Sequence, residues 1–196
     1  MKRGSEAKNE SDAAVALSAE EKRALLGVAR QVLVDHLSGK RFTAPRPDSP
    51  ALLEPRATFV TLRVRDTNEL RGCRGECHAS QRLVESVAQM AIAAATDPRF
   101  TPVAAEELPT LHIEISVLSP LEPIEPDDVV VGRHGLMIVC GDFSGLLLPQ
   151  VAVAQGWDRE AFLDGVCRKA GLPGEAWKAD GVVLFGFEAD AWGEEG

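Results

Sequence analysis

The stretch ELRGCRGECH, residues 69–78, sets Cys73 among two arginines and two glycines, with Cys77 and His78 four and five residues further on. A thiol in such company can attack an electrophile, hold a metal, or simply occupy space. Attack needs the thiolate, which nearby cations and main-chain N–H dipoles favour, and Arg71, Arg74 and the amides of Gly72 and Gly75 supply both. The base must come from elsewhere. His134, in GRHG, is the candidate, because flanking glycines permit a close backbone approach. Cys73 as nucleophile with His134 as base describes an enzyme of group transfer or hydrolysis.

Metal binding has the right residue types but the wrong spacing. Along an extended strand Cys73 and Cys77 stand about 13 Å apart, too far for one ion. The other candidates, His112, His134, Cys140 and Cys167, are solitary, whereas structural zinc sites use close pairs. No metal and no cofactor is expected, and neither a P-loop nor a dinucleotide fingerprint occurs. GDFSG places Ser144 one position late for a nucleophile elbow and reads as a hairpin turn. A third possibility is binding without chemistry: glycine amides and arginines form an anion nest, faced by Glu114 and Ser116.

The elements that must position these residues follow from periodicity. Ser18 and Glu21 form a capping box ahead of Ala24, Leu25, Val28, Val32, Leu33 and Leu37 at helical spacing, up to Gly39. A proline-rich stretch over residues 41–57 reads as a loop rather than an interdomain linker. Residues 57–64 are β-branched and apolar, RDTNE marks a turn, and LRGCRGEC returns as the second strand of a hairpin. Gly72 and Gly75 mark a bulge there, or a close approach by another backbone or a ligand. An alanine-rich helix spans residues 80–95. In LHIEISVLSP, Leu111, Ile113, Ile115 and Val117 face one way, and His112, Glu114 and Ser116 the other. Residues 132–157 read as strand, tight Gly-Asp-Phe-Ser-Gly turn, strand and a proline-marked exit. Asp158 caps a helix that ends at Gly171, and GVVLFGFEADAW is a late strand. Hairpins outnumber crossovers, so the expected class is α+β with a mainly antiparallel sheet.

Charge narrows the partners. The first hundred residues carry 16 basic and 13 acidic side chains, the remainder 5 and 17, for a net charge of −9. Nucleic acid is not expected as a partner, since only Arg56, Arg63, Arg65, Arg71 and Arg74 could form a basic track. With no export signal and no apolar run of membrane-spanning length, the chain is expected to be cytoplasmic, without a membrane partner and with reduced thiols.

The segments LRGCRG (70–75), DPRFTPV (97–103), EELPTLHIEISVLSP (106–120), GRHGLMI (132–138), GLLLPQVA (145–152) and FLDGVCRKAGL (162–172) resemble the AMMECR family. The resemblance runs from about Leu17 to Ala189. It implies two lobes, a larger one on an antiparallel sheet flanked by helices and a smaller one, with the signature segments around the cleft between them. It also implies association with a Memo-like protein and a radical S-adenosylmethionine protein in a modification pathway. The family signature reads Leu-Arg-Gly-Cys-Ile-Gly, and here Arg74 stands in place of the isoleucine.

The leading expectation is an accessory or ligand-binding subunit that holds a small anion or modified side chain in that cleft. Arg71, Gly72, Gly75, Arg74, Ser116 and Gln150 are its candidate binding residues, with Cys73, His134 and Glu114 placed for capture and proton exchange. The alternatives are the enzyme above and a protein-interaction adaptor. Residues 1–16 are expected to be a disordered tail, 17–190 the domain, and 191–196 a C-terminal tail.

Overall fold

The computed structural model describes residues 16–43 and 45–195, so positions 1–15 of the expected N-terminal tail lie outside the described residues. In chain order the elements begin with α1 (Ala19–Leu37), β1 (Thr58–Val64), β2 (Leu70–Gly75), α2 (Leu83–Ala95) and β3 (Leu111–Leu118). They continue with β4 (Glu122–Pro123), β5 (Gly135–Cys140), β6 (Phe143–Leu147), α3 (Pro149–Gln155), α4 (Arg159–Lys169), β7 (Val183–Phe187) and β8 (Ala189–Gly193). Every strand pair is antiparallel, in two four-stranded sheets ordered β2-β1-β3-β8 and β4-β7-β5-β6. The α+β class read from the sequence is the observed one.

The first sheet has two unlike faces because its strands alternate. Val60, Leu62, Ile113 and Ile115 are fully buried beneath Leu25, Ala29, Val32 and Leu33 of α1 and Leu83, Val87 and Ala91 of α2. Helix α1 starts where the capping box predicts: the Ser18 hydroxyl accepts from the Glu21 N–H at 3.2 Å, and the Glu21 carboxylate accepts from the Ser18 N–H at 2.7 Å. Directly paired residues share a face, so the register Cys73–Thr61–Glu114 and Gly75–Phe59–Ser116 lays a mixed polar and aromatic surface on the side away from the helices. That side faces the second sheet.

The second sheet packs Leu136 and Ile138 on Phe162, Leu163 and Val166 of α4, whose first turn is capped by Asp158 accepting from the Ala161 N–H at 2.9 Å. The chain enters this lobe after β3 and leaves after β7. At the two crossings Ser119 and Glu188 hold each other, the Ser119 N–H donating to the Glu188 carbonyl and the Glu188 N–H to the Ser119 hydroxyl, both at 2.9 Å. A third apolar cluster, with Ala57, Phe59 and Leu118 from one lobe and Leu146, Leu148 and Phe187 from the other, joins them.

Four local expectations are corrected. The late strand is two strands, β7 and β8, which part at Glu188 to pair in different sheets. The hairpin turn is only Gly141–Asp142, with Phe143, Ser144 and Gly145 already in β6. The proline-marked exit is the start of α3, with Pro149 at the first helical position, where its missing N–H costs no hydrogen bond. Residues 191–193, expected to belong to a C-terminal tail, are part of β8 in the first sheet. Beyond it the Glu194 carboxylate is held by Arg30, by Arg65 at 3.0 Å and by the Ile113 N–H at 3.1 Å.

Candidate functional site

The hairpin that carries Cys73 is irregular at one residue. Leu62 pairs with Gly72 but Arg63 pairs with Leu70, leaving Arg71 as an unpaired bulge. The bulge directs Arg71 away from the interlobe side. Its guanidinium grips Glu107 through Nε at 3.1 Å and Nη2 at 3.0 Å, and donates from Nη1 to the Thr101 carbonyl at 2.9 Å. Arg71, with the Ala104 N–H adding to it, holds the Glu107 carboxyl below the usual carboxylate range. Arg71 is therefore a fastener of the loop before β3, and its expected place among the binding residues is corrected.

Both glycines of the motif are close-approach positions. A β-carbon at Gly72 would stand 2.1 Å from the Ala94 carbonyl oxygen, where the last turn of α2 descends onto β2. One at Gly75 would stand 2.2 Å from the Phe59 ring. Gly72 thus serves packing against α2 rather than ligand contact.

Cys73 is half-buried, and its sulfur accepts from the Thr61 hydroxyl at 3.3 Å. Its N–H donates to Asp97 Oδ2 at 2.9 Å. Asp97 is only 2 % exposed, and Arg99 encloses its carboxylate with Nη2 at 2.6 Å, Nε at 3.1 Å and its own N–H at 3.1 Å. The Arg99 hydrogen bond outweighs the burial that opposes it and holds the Asp97 carboxyl well below the usual range. Arg99 Nη2 also reaches the Cys73 carbonyl at 3.4 Å, so one aspartate–arginine pair brackets the cysteine backbone on both its polar groups.

In front of the sulfur lies a pocket of about 530 Å³ with walls from both lobes. Phe59, Thr61, Cys73, Arg74, Gly75, Arg99 and Glu114 come from the first lobe, and Leu146, Leu148, Gln150, Val151 and Lys169 from the second. A second hollow adjoins it, sharing Arg63, Glu114 and Gln150 and reaching Ser116 and Trp192. Five sequence candidates, Cys73, Arg74, Gly75, Glu114 and Gln150, therefore meet in one place, and Ser116 borders it. Arg74, at the position of the family isoleucine, sits opposite Val60 on the edge strand, so its exposed side chain leaves from the helix side of the sheet and Arg74 meets the pocket at its rim. Glu114 is paired with Arg63 at 3.1 Å.

His134 does not join them. Its Nδ1 accepts from the Val130 N–H at 3.2 Å, and its ring lines a separate pocket at the lobe crossings with Ser119, Arg133 and Glu188. The Cys73–His134 dyad is not assembled, because glycine flanks free a backbone locally without deciding where the fold carries it. Cys77 is half-buried, and burial, with Glu76 adding to it, pushes its thiol pKa up. Among the described residues no three His, Cys, Asp or Glu side chains are grouped to hold a metal. Among the described residues no helix is long and apolar enough to cross a membrane.

Sequence reasoning missed Thr61, Asp97, Arg99 and Lys169. Asp97 and Arg99 lie in DPRFTPV, which entered only through the family resemblance, yet an aspartate just past a helix end with an arginine two residues on is a compact ion pair. Lys169 closes a helix from the other lobe and has no local signal.

Residues 26–192 match the family model described as AMMECR1. The chain belongs to the AMMECR1 family. Among AMMECR1-like relatives, a protein from Thermofilum pendens is 42% identical over 195 residues, covering 91% of this chain and 92% of that one. Protein MK0488 from Methanopyrus kandleri is 40% identical over 188 residues and covers 91% of each. The crystal structure of the uncharacterized protein PH0010 from Pyrococcus horikoshii superposes with a TM-score of 0.83 at 42% identity, over 88% of this chain and 90% of that one. The two-sheet arrangement around Cys73 thus has a solved AMMECR1 counterpart at the level of the fold.

Proposed function

We propose that this AMMECR1-family chain is a ligand-binding protein that takes a small organic anion in the pocket between its lobes, with Cys73 in the pocket wall. The observation that carries the reading is the charge balance of the lining. Arg63 is neutralised by Glu114 and Arg99 by Asp97, whereas Arg74 and Lys169 make no ion pair among the described residues. Two uncommitted cations in one pocket, on a chain with a net charge of −9, supply a local attraction for an anion that the surrounding surface lacks. Such a protein fits the accessory role alongside Memo-like and radical S-adenosylmethionine proteins that the family resemblance implies.

Against the enzyme alternative stands the position of His134, which lines a different pocket from Cys73. The hydrogen-bond partner of the Cys73 sulfur is a threonine hydroxyl, which donates to it and does not take its proton at neutral pH.

A thermal-shift screen with carboxylates and phosphate esters is the test. The wild-type chain is expected to melt higher with at least one anion, because a ligand that binds only the native state stabilises it. The double substitution Arg74→Gln and Lys169→Gln, both on exposed side chains outside the cores, is expected to remove the response and leave the unliganded melting temperature within about 2 °C. No response from any anion, as a pure adaptor would give, or an equal response in the double variant, refutes the proposal.

A further inference from the structure

The lining of the same pocket also specifies what the anion is attached to. Resting on the reading above, we infer that the ligand is an amphipathic anion: an acidic head with an unbranched or aromatic apolar body, such as a medium-chain carboxylate or alkyl phosphate.

Phe59, Leu146, Leu148 and Val151 belong to the apolar cluster that joins the lobes, and all four also line the pocket. They leave hydrocarbon facing a space that Arg74 and Lys169 also line. An inorganic anion would satisfy Arg74 and Lys169 and leave that hydrocarbon wet. A purely apolar molecule would cover the hydrocarbon and strip water from the cations without replacing its hydrogen bonds. A polyhydroxylated ligand would need neutral donors and acceptors, but the Thr61 hydroxyl is committed to the Cys73 sulfur and Glu114 to Arg63, leaving Gln150 as the neutral polar side chain of the second lobe. A head on the cations and a hydrocarbon body against the joint between lobes satisfies both parts of the lining. The sulfur of Cys73, soft and weakly polar, is compatible with the flank of such a body.

Calorimetric titration of the full chain with acetate, butanoate, hexanoate, octanoate, inorganic phosphate and hexylamine tests this. Each added methylene that finds a place against the apolar wall is expected to tighten binding about fourfold, and hexylamine is expected not to bind. Val151→Ser is expected to flatten the dependence on chain length, whereas Lys169→Gln is expected to weaken every acid about tenfold and keep the dependence. Acetate or phosphate binding as tightly as hexanoate overturns the amphipathic ligand and leaves the anion pocket standing. Failure of every acid and of phosphate to bind overturns both. Hexylamine binding as well as hexanoate overturns the role given to the cations.

Discussion

Replacing Asp97 with alanine is expected to lower the stability of the fold by about 3 kcal/mol, since it removes a buried carboxylate whose partners have no substitute. The Cys73 N–H loses its acceptor, and the Arg99 guanidinium is left beside the Cys73 carbonyl without its counter-charge. Asp97→Asn keeps an oxygen for the Cys73 N–H but gives up the charge, and is expected to cost less. The carboxylate also sets a pH dependence. Its folded pKa is depressed, so the unfolded chain binds the proton more readily, and the stabilisation is fully present above the unfolded value near pH 4 and is lost as pH falls below it. Urea denaturation at pH 7 and in steps below pH 5 should show wild type losing stability more steeply with acid than Asp97→Asn. Parallel profiles would mean that the Asp97–Arg99 pair is not the strong contact its geometry describes.

Gly72→Ala is expected to cost about 3 kcal/mol or more, the upper range for overpacking, because the added carbon meets backbone rather than a side chain that can turn aside. The Ala94 oxygen would lie 2.1 Å away and its carbonyl carbon 3.1 Å away. Neither can retreat cheaply, since Val87, Ala91 and Ala94 anchor α2 in the main core. Gly27→Ala is the control. It lies on the exposed side of α1 with nothing within 4 Å of the added carbon, and a helix-interior alanine is favoured over glycine by about 1 kcal/mol. Opposite signs for the two substitutions in chemical denaturation are the expected result. A Gly72→Ala chain as stable as wild type would show that β2 and α2 are not pressed together as described.

These two residues also show where sequence reasoning reaches its limit. Gly72 announced itself as an oddity in a strand, and a close approach was foreseen, but α2 as the neighbour depended on how helix and hairpin fold together. The role of Asp97 was hidden for the same reason: its segment was expected near the cleft, but its work is done on Cys73, which is brought to it only by that contact. Periodic features were legible throughout. The capping box at Ser18, the alternation of β3 and the hairpin around residues 65–69 are local, and their consequences followed, including Glu114 on the same face as Cys73. Helix α3 was hidden because seven residues are too few to display a helical period. The break at Glu188 was hidden because a continuous apolar run does not say that its halves pair with different sheets. Arg71 was misassigned because a one-residue bulge reverses the face that alternation predicts.

If an organic anion fills the pocket that Cys73 lines, it shields the Cys73 sulfur. Iodoacetamide alkylation of Cys73, followed by mass spectrometry of its peptide across a hexanoate titration, tests it most directly. Labelling of Cys73 is expected to slow at least fivefold as hexanoate saturates the pocket, while labelling of Cys77, which does not line it, is unchanged. A Cys73 rate that stays the same at every hexanoate concentration would contradict it.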